Sequence, residues 1–265
     1  MIEEKKKRLR GVFLLPKLIT TSELFSGFYA IVSSINGDFI IAALAILIAM
    51  VLDGLDGRIA RLTNTQTSFG ENYDSLSDMI CFGLAPAIML YTWANVNLAF
   101  GMDSSKIVLI FCFIYVASAA IRLARFNSIT HSQDKKFFIG LASPASSAVI
   151  ITYVWIVETL VNGNISHLSS TSNYVWVGLF ILPVLSFLMI SNITYYSFKD
   201  FNIRHKVPHI TLFLIALFIS FISFDPPLVL FSFFLLYALS GPGLYLFRIV
   251  KKKKSLSQEK NSTKP

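Results

Sequence analysis

Four aspartates stand close together in the first third of the chain. Asp53 and Asp56 belong to the run Leu52-Asp53-Gly54-Leu55-Asp56-Gly57-Arg58-Ile59-Ala60-Arg61, and Asp74 and Asp78 to Gly70-Glu71-Asn72-Tyr73-Asp74-Ser75-Leu76-Ser77-Asp78. The spacings are i,i+3 and i,i+4, so on a helix each pair shares one face. Two such helices, adjacent in sequence and antiparallel, turn the pairs toward each other. Converging carboxylates repel and resist burial, so a cation must accompany them. Hard oxygen ligands suit Mg²⁺, Mn²⁺ or Ca²⁺. The pattern contains no His or Cys, which disfavours zinc. Arg58 and Arg61 add fixed positive charge of the kind that meets phosphate. Gly57 and Gly70 leave room for a ligand to approach the backbone. The composite predicts a metal-bound pyrophosphate. One acidic pair alone would read equally well as a solvated loop; both pairs with glycines and arginines in register do not.

Apolar helices must carry these residues. Of the 265 residues, 54% are hydrophobic and 14% charged, where a soluble domain has roughly 25% charged. Mean hydropathy is +0.64. This excludes disorder and an ordinary water-soluble globule. A bilayer core needs about 20 apolar residues per helix. The chain is expected to be all-α: a polytopic membrane bundle of about eight spans, near 18–36, 38–60, 75–98, 106–127, 141–161, 174–194, 209–224 and 227–248. The first is the weakest, because Thr20, Thr21, Ser22 and Glu23 begin it. The seventh and eighth meet at Asp225-Pro226-Pro227, where helix cannot continue. The acidic pairs then fall at the same end of spans two and three.

With the N-terminus in the cytoplasm, eight crossings place every Lys and Arg of the 23 except Lys106 on the inner side. That is the positive-inside bias. The net charge of +8 lies in short clusters between apolar runs, which points to anionic lipid headgroups and not to nucleic acid. Both termini and the acidic site are therefore expected on the cytoplasmic face of the cell membrane. Residues 1–17 read as a basic interfacial segment, not a cleaved signal, since Pro16 and Lys17 interrupt the apolar run. Residues 18–200 read as the membrane domain that carries the acidic site, 201–250 as additional C-terminal helices, and 251–265 as a basic, disordered tail. Cys81 and Cys112 lie in apolar stretches and read as buried free thiols. His131, His167, His205 and His209 are scattered and form no catalytic set.

The run Asp53-x-x-Asp56-Gly57-x-x-Ala60-Arg61, then Gly70-x-x-x-Asp74-x-x-x-Asp78, resembles the complete signature of the CDP-alcohol phosphatidyltransferases. The resemblance implies a six-helix catalytic core, here followed by two further helices. It implies transfer of a phosphatidyl group from a CDP-linked lipid to a small alcohol, with release of CMP. It also implies two divalent ions, Mg or Mn and possibly Ca, held by Asp53, Asp56 and Asp74 with Asp78 nearby. Asp78 would be the general base. Gly57, Arg58, Ala60, Arg61, Gly70 and Asp56 would surround the CDP-lipid, and the protein would be a homodimer.

Four more segments resemble the bacterial phosphatidylserine synthases of that family. They are Leu14-Leu15-Pro16 with Ser26 to Ile31; Arg122 to Asn127; Phe138 to Ala145; and Ser191 with Tyr196 to Lys199. This implies CDP-diacylglycerol and L-serine as substrates. Lys17 and Glu23 stand where those synthases usually carry Asn, and Ser26 where they often carry Cys. A zwitterionic amino acid needs a cation for its carboxylate, and Arg122 and Arg125, with Asn127 beside them, end span four on the acidic side. Both arginines would otherwise read as membrane anchors. Choline, glycerol phosphate or an inositol compound are alternative acceptors. A membrane prenyltransferase, whose acidic pairs lie far apart in sequence, and a cation transporter, whose acids sit near the bilayer midplane, are more remote.

Overall fold

In lipid, each backbone N–H and C=O must be satisfied within its own segment, so apolar spans fold as helices. The computed structural model describes residues 2–63, 65–98, 102–129, 137–162, 168–196, 213, 216, 217, 220, 221 and 223–262. Helix α1 covers Ile2–Ile35, α2 Phe39–Leu62, α3 Ser68–Asp78, α4 Ala85–Asn97, α5 Met102–Ile129, α6 Ser143–Asn162, α7 Leu168–Ile190 and α8 Pro226–Ser262. Strands β1, Phe137–Ile139, and β2, Thr194–Tyr196, pair antiparallel with Phe138 opposite Tyr195. Seven helical segments among the described residues are long and apolar enough to cross a membrane. The chain is an all-α, multi-pass membrane protein. The expected span at 209–224 falls mostly outside the described residues, as do the four histidines, Lys135, Lys136 and Lys199.

Three boundaries differ from expectation. Helix α1 runs from Ile2, and its apolar part, Leu14–Ile35, starts before the expected span at 18. The third span starts at Ser68 rather than near 75, because Thr67 caps it: its hydroxyl accepts from the Gly70 amide at 3.1 Å. Helix α8 continues through Lys251 to Ser262 where a disordered tail was expected. Lys, Glu and Gln are good helix formers and extend a helix already nucleated by the apolar part.

The weak start of the first span is accommodated locally. Thr21 and Ser22 donate to the carbonyls of Lys17 and Leu18 at 2.8 and 2.9 Å, so neither hydroxyl brings an unmet polar group into the bundle. Helix α2 presents Ala42, Ile46 and Ala49 to the interior and Leu44, Ile48 and Val51 outward. Large residues face lipid and small ones let helices approach, as membrane packing requires. Ser26 of α1 donates to the Ala45 carbonyl at 2.7 Å across that contact.

Helices α3 and α4 form one span joined by a π-helical segment, Met79–Leu84, in which the Ala85 amide donates to the Ile80 carbonyl. Pro86 causes it: the residue has no N–H, and its ring would collide with the Phe82 carbonyl in a regular helix. The Tyr115 hydroxyl of α5 donates to that carbonyl at 2.9 Å. Gly27 of α1 lies so close to this segment that a Cβ there would overlap Cys81 Sγ. Cys81 and Cys112 are both buried and free.

Candidate active site

The stripe Ala42, Ile46, Ala49 on α2 continues at helical spacing into Asp53 and Asp56, so the face that packs the core becomes the face that carries acid. Asp56 lies six residues before the end of α2 and Asp74 six after the start of α3. Both therefore sit at one depth, about 9 Å along each helix from the intervening turn. That turn is tied by Thr65, whose amide donates to the Ala60 carbonyl at 3.0 Å.

The four aspartates come together as the spacing predicts. Carboxylate oxygens of Asp53, Asp74 and Asp78 lie within 4.8 Å of one another. A second trio, with oxygens equally close, is Glu23, Asp56 and Asp74. Glu23 is fully buried and neither of its carboxylate oxygens has a hydrogen-bond partner. Asp56 is buried, with Thr20 Oγ1 donating to Oδ2 at 2.5 Å and Oδ1 left without a partner. Asp78 Oδ1 is likewise buried without one. Two carboxylate trios that share Asp74, with unpartnered buried oxygens on Glu23, Asp56 and Asp78, fit hard divalent cations.

Glu23 was not legible as a site residue. It has no acidic neighbour at i+3 or i+4, and beyond standing where the resembling synthases usually carry Asn it reads as a polar interruption of a weak span. The available signal was a carboxylate inside a membrane helix, which marks function by default.

The flanking residues divide. Arg58 and Arg61 are exposed at the acidic end, with Arg61 within electrostatic reach of Asp56 and its guanidinium beside Gly57. Gly70 abuts the Thr67 hydroxyl that caps α3, where a Cβ would lie 3.2 Å from Oγ1. Ala60 is half-buried. Lys17 lies 4.7 Å over the Phe69 ring, which ties α1 to α3.

Arg122, Arg125 and Asn127 meet different partners. Arg122 donates to Ser143 Oγ at 2.6 Å and lies within electrostatic reach of Asp78 and Asp53. Arg125 points away and clasps backbone: it donates to the carbonyls of Ile190, Ile139 and Met189 at 2.8, 2.9 and 3.2 Å. It thereby closes the end of α7 against the strand pair. Gly140, at φ +81°, completes this clasp, because a Cβ there would overlap the Met189 carbonyl. Asn127 Nδ2 donates to Ser75 Oγ at 3.0 Å and joins α5 to α3.

Between α1 and α2 an apolar groove lined by Phe25, Ser26, Tyr29, Leu44, Ile48 and Leu52 runs along the outside of the bundle up to the acidic end.

The family model for the CDP-alcohol phosphatidyltransferases matches residues 13–184. The chain belongs to that family. It is 34% identical over 244 residues to the CDP-diacylglycerol–serine O-phosphatidyltransferase of Helicobacter pylori strain J99, covering 92% of this chain and 95% of the relative. It is also 34% identical over 191 residues to the archaetidylserine synthase of Methanothermobacter thermautotrophicus, covering 71% and 72%. The Mycobacterium tuberculosis H37Rv CDP-diacylglycerol–serine O-phosphatidyltransferase is 32% identical over 154 residues, covering 56% of this chain and 51% of the relative. The matched family region holds both acidic trios, Arg122 and the Arg125 side of the clasp.

Proposed function

We propose that this transferase moves the phosphatidyl group of CDP-diacylglycerol to the hydroxyl of L-serine, giving phosphatidylserine and CMP. The observation that carries the reading is the convergence of the four signature aspartates, together with Glu23, into two trios that share Asp74, within electrostatic reach of Arg122. Near full-length similarity to a relative named for serine supports the acceptor.

Asp53, Asp56 and Asp74, with Asp78 beside them, would hold two divalent ions, Mg²⁺ or Mn²⁺. Bound there, the ions would neutralise the diphosphate and polarise the phosphorus that carries diacylglycerol. The lipid lies sideways, with an acyl chain in the α1–α2 groove and its headgroup at the acidic end. Gly57, Ala60 and Gly70 leave space along the nucleotide, and Arg58 and Arg61 face its phosphates. Arg122 receives the serine carboxylate and thereby aims the hydroxyl toward Asp78. Asp78 Oδ1 takes the hydroxyl proton as the serine oxygen attacks phosphorus and the bond to CMP breaks. The displacement is direct and needs no covalent enzyme intermediate. Arg125 and Asn127 hold α5, α3 and α7 in register and thus position Arg122.

The acidic pocket and the basic chain ends share the cytoplasmic side of the cell membrane, where the positive-inside bias puts them. Anionic lipids surround that face, and two copies of the chain form a dimer. The deciding experiment supplies CDP-diacylglycerol to the purified protein with serine, choline, glycerol phosphate or inositol in turn and follows CMP. Release with serine alone supports the reading. Release with another alcohol and not with serine replaces the acceptor, and no release with any of them rejects the transferase.

A further inference from the structure

We propose that Glu23 is a cation ligand, sharing one of two divalent ions with Asp56 and Asp74, while Asp53, Asp74 and Asp78 take the other. The inference rests on the metal-dependent reading above and extends the site to a helix outside the aspartate signature.

Three observations carry it. Glu23 is fully buried, and both its oxygens lack hydrogen-bond partners. One of them lies within 4.8 Å of oxygens on Asp56 and Asp74. Asp56, in the same trio, keeps a buried oxygen, Oδ1, without a partner, while Thr20 holds Oδ2 at 2.5 Å.

A purely structural glutamate would look different. Charged, it would collect donors, since an ionised carboxylate away from water is strongly disfavoured without them. Neutral, its O–H would reach an acceptor. Glu23 does neither. Its helix is nonetheless held firmly: Cys81 Sγ donates to the Glu23 carbonyl at 3.3 Å, and Gly27 one turn later is packed against Cys81. The backbone is fixed and the carboxylate is aimed at two other acids, which is the preorganisation a metal ligand needs. Because Asp74 belongs to both trios, it lies between the two ions, and loss of Glu23 should weaken only one of them.

The test uses the full chain in lipid nanodiscs with Mn²⁺ alone and no substrate. Electron paramagnetic resonance of free Mn²⁺ gives the isotherm, and thermal unfolding is followed with and without Mn²⁺. The wild type should bind two ions. Glu23→Gln should keep one and weaken the other by about 10- to 100-fold or more, as loss of a ligand is at least as costly as loss of a group behind it. Without metal the variant should unfold no lower than the wild type, and its Mn²⁺-induced rise in unfolding temperature should shrink. Glu23→Asn gives the same comparison with a smaller neutral side chain. Two ions bound with wild-type affinity in both variants would overturn this inference and leave the proposed function standing. A lower metal-free unfolding temperature with unchanged binding would also overturn it, in favour of a packing role. A wild type that takes up no Mn²⁺ would overturn the metal reading and this inference together.

Discussion

The hydroxyl of Tyr195 donates to the carbonyl of Ala238 at 3.0 Å, the carbonyl that Pro242 leaves without its helical donor. Burial pushes the Tyr195 hydroxyl up from its ordinary value, so it stays protonated and able to donate. Tyr115 does the same for Phe82, whose helical donor would have been Pro86. Each tyrosine mends a proline break on a neighbouring helix. Tyr195→Phe and Tyr115→Phe should each lower stability by about 1–3 kcal/mol, the cost of a buried acceptor left unmet. Thermal unfolding in detergent measures the loss, and turnover of the folded fraction should change little.

Asp78→Asn should lower kcat by about 10²- to 10⁴-fold, the usual contribution of a positioned base. Binding of CDP-diacylglycerol should persist, because the other carboxylates remain. CMP release and equilibrium binding of the CDP-lipid, measured side by side, test the assignment; wild-type turnover in the variant would refute it.

Arg122 and Arg125 should separate cleanly. Arg122→Gln should raise KM for serine about tenfold or more, since a charge-assisted bond to the carboxylate is lost. CDP-lipid affinity should hold. Arg125→Gln removes donors from three carbonyls and should lower the unfolding temperature while KM for serine in the folded fraction stays near wild type. A serine KM defect confined to Arg125→Gln would reverse the two roles.

Chelation should abolish CMP release, and Mg²⁺ or Mn²⁺ should restore it. The same ions should raise the unfolding temperature, because a ligand at 100 times its Kd adds about 2.7 kcal/mol per site. Turnover that survives exhaustive chelation would remove the ions from the chemistry.

Much of this molecule can be read before its coordinates. Helical spacing of Asp53 with Asp56 and of Asp74 with Asp78 foretells two acidic faces, and the charge bias foretells that they share an end. Periodicity speaks for residues on one helix, however, and several decisive contacts lie between helices. Glu23 joins the pocket across a helix contact that no local pattern encodes. Arg125 resembles Arg122 in type and position, yet a difference of three residues turns its guanidinium from the acids to the backbone at the end of α7. The π-helical segment follows from Pro86, but its consequence depends on Tyr115, which comes later in the chain.

All the pocket's acids, Glu23 included, precede residue 79, whereas Arg122 sits at the far end of the next span. During synthesis the anionic residues of the pocket are consequently translated before Arg122. A nascent chain halted after α4 holds every acid of the pocket with Arg58 and Arg61 beside them and without Arg122.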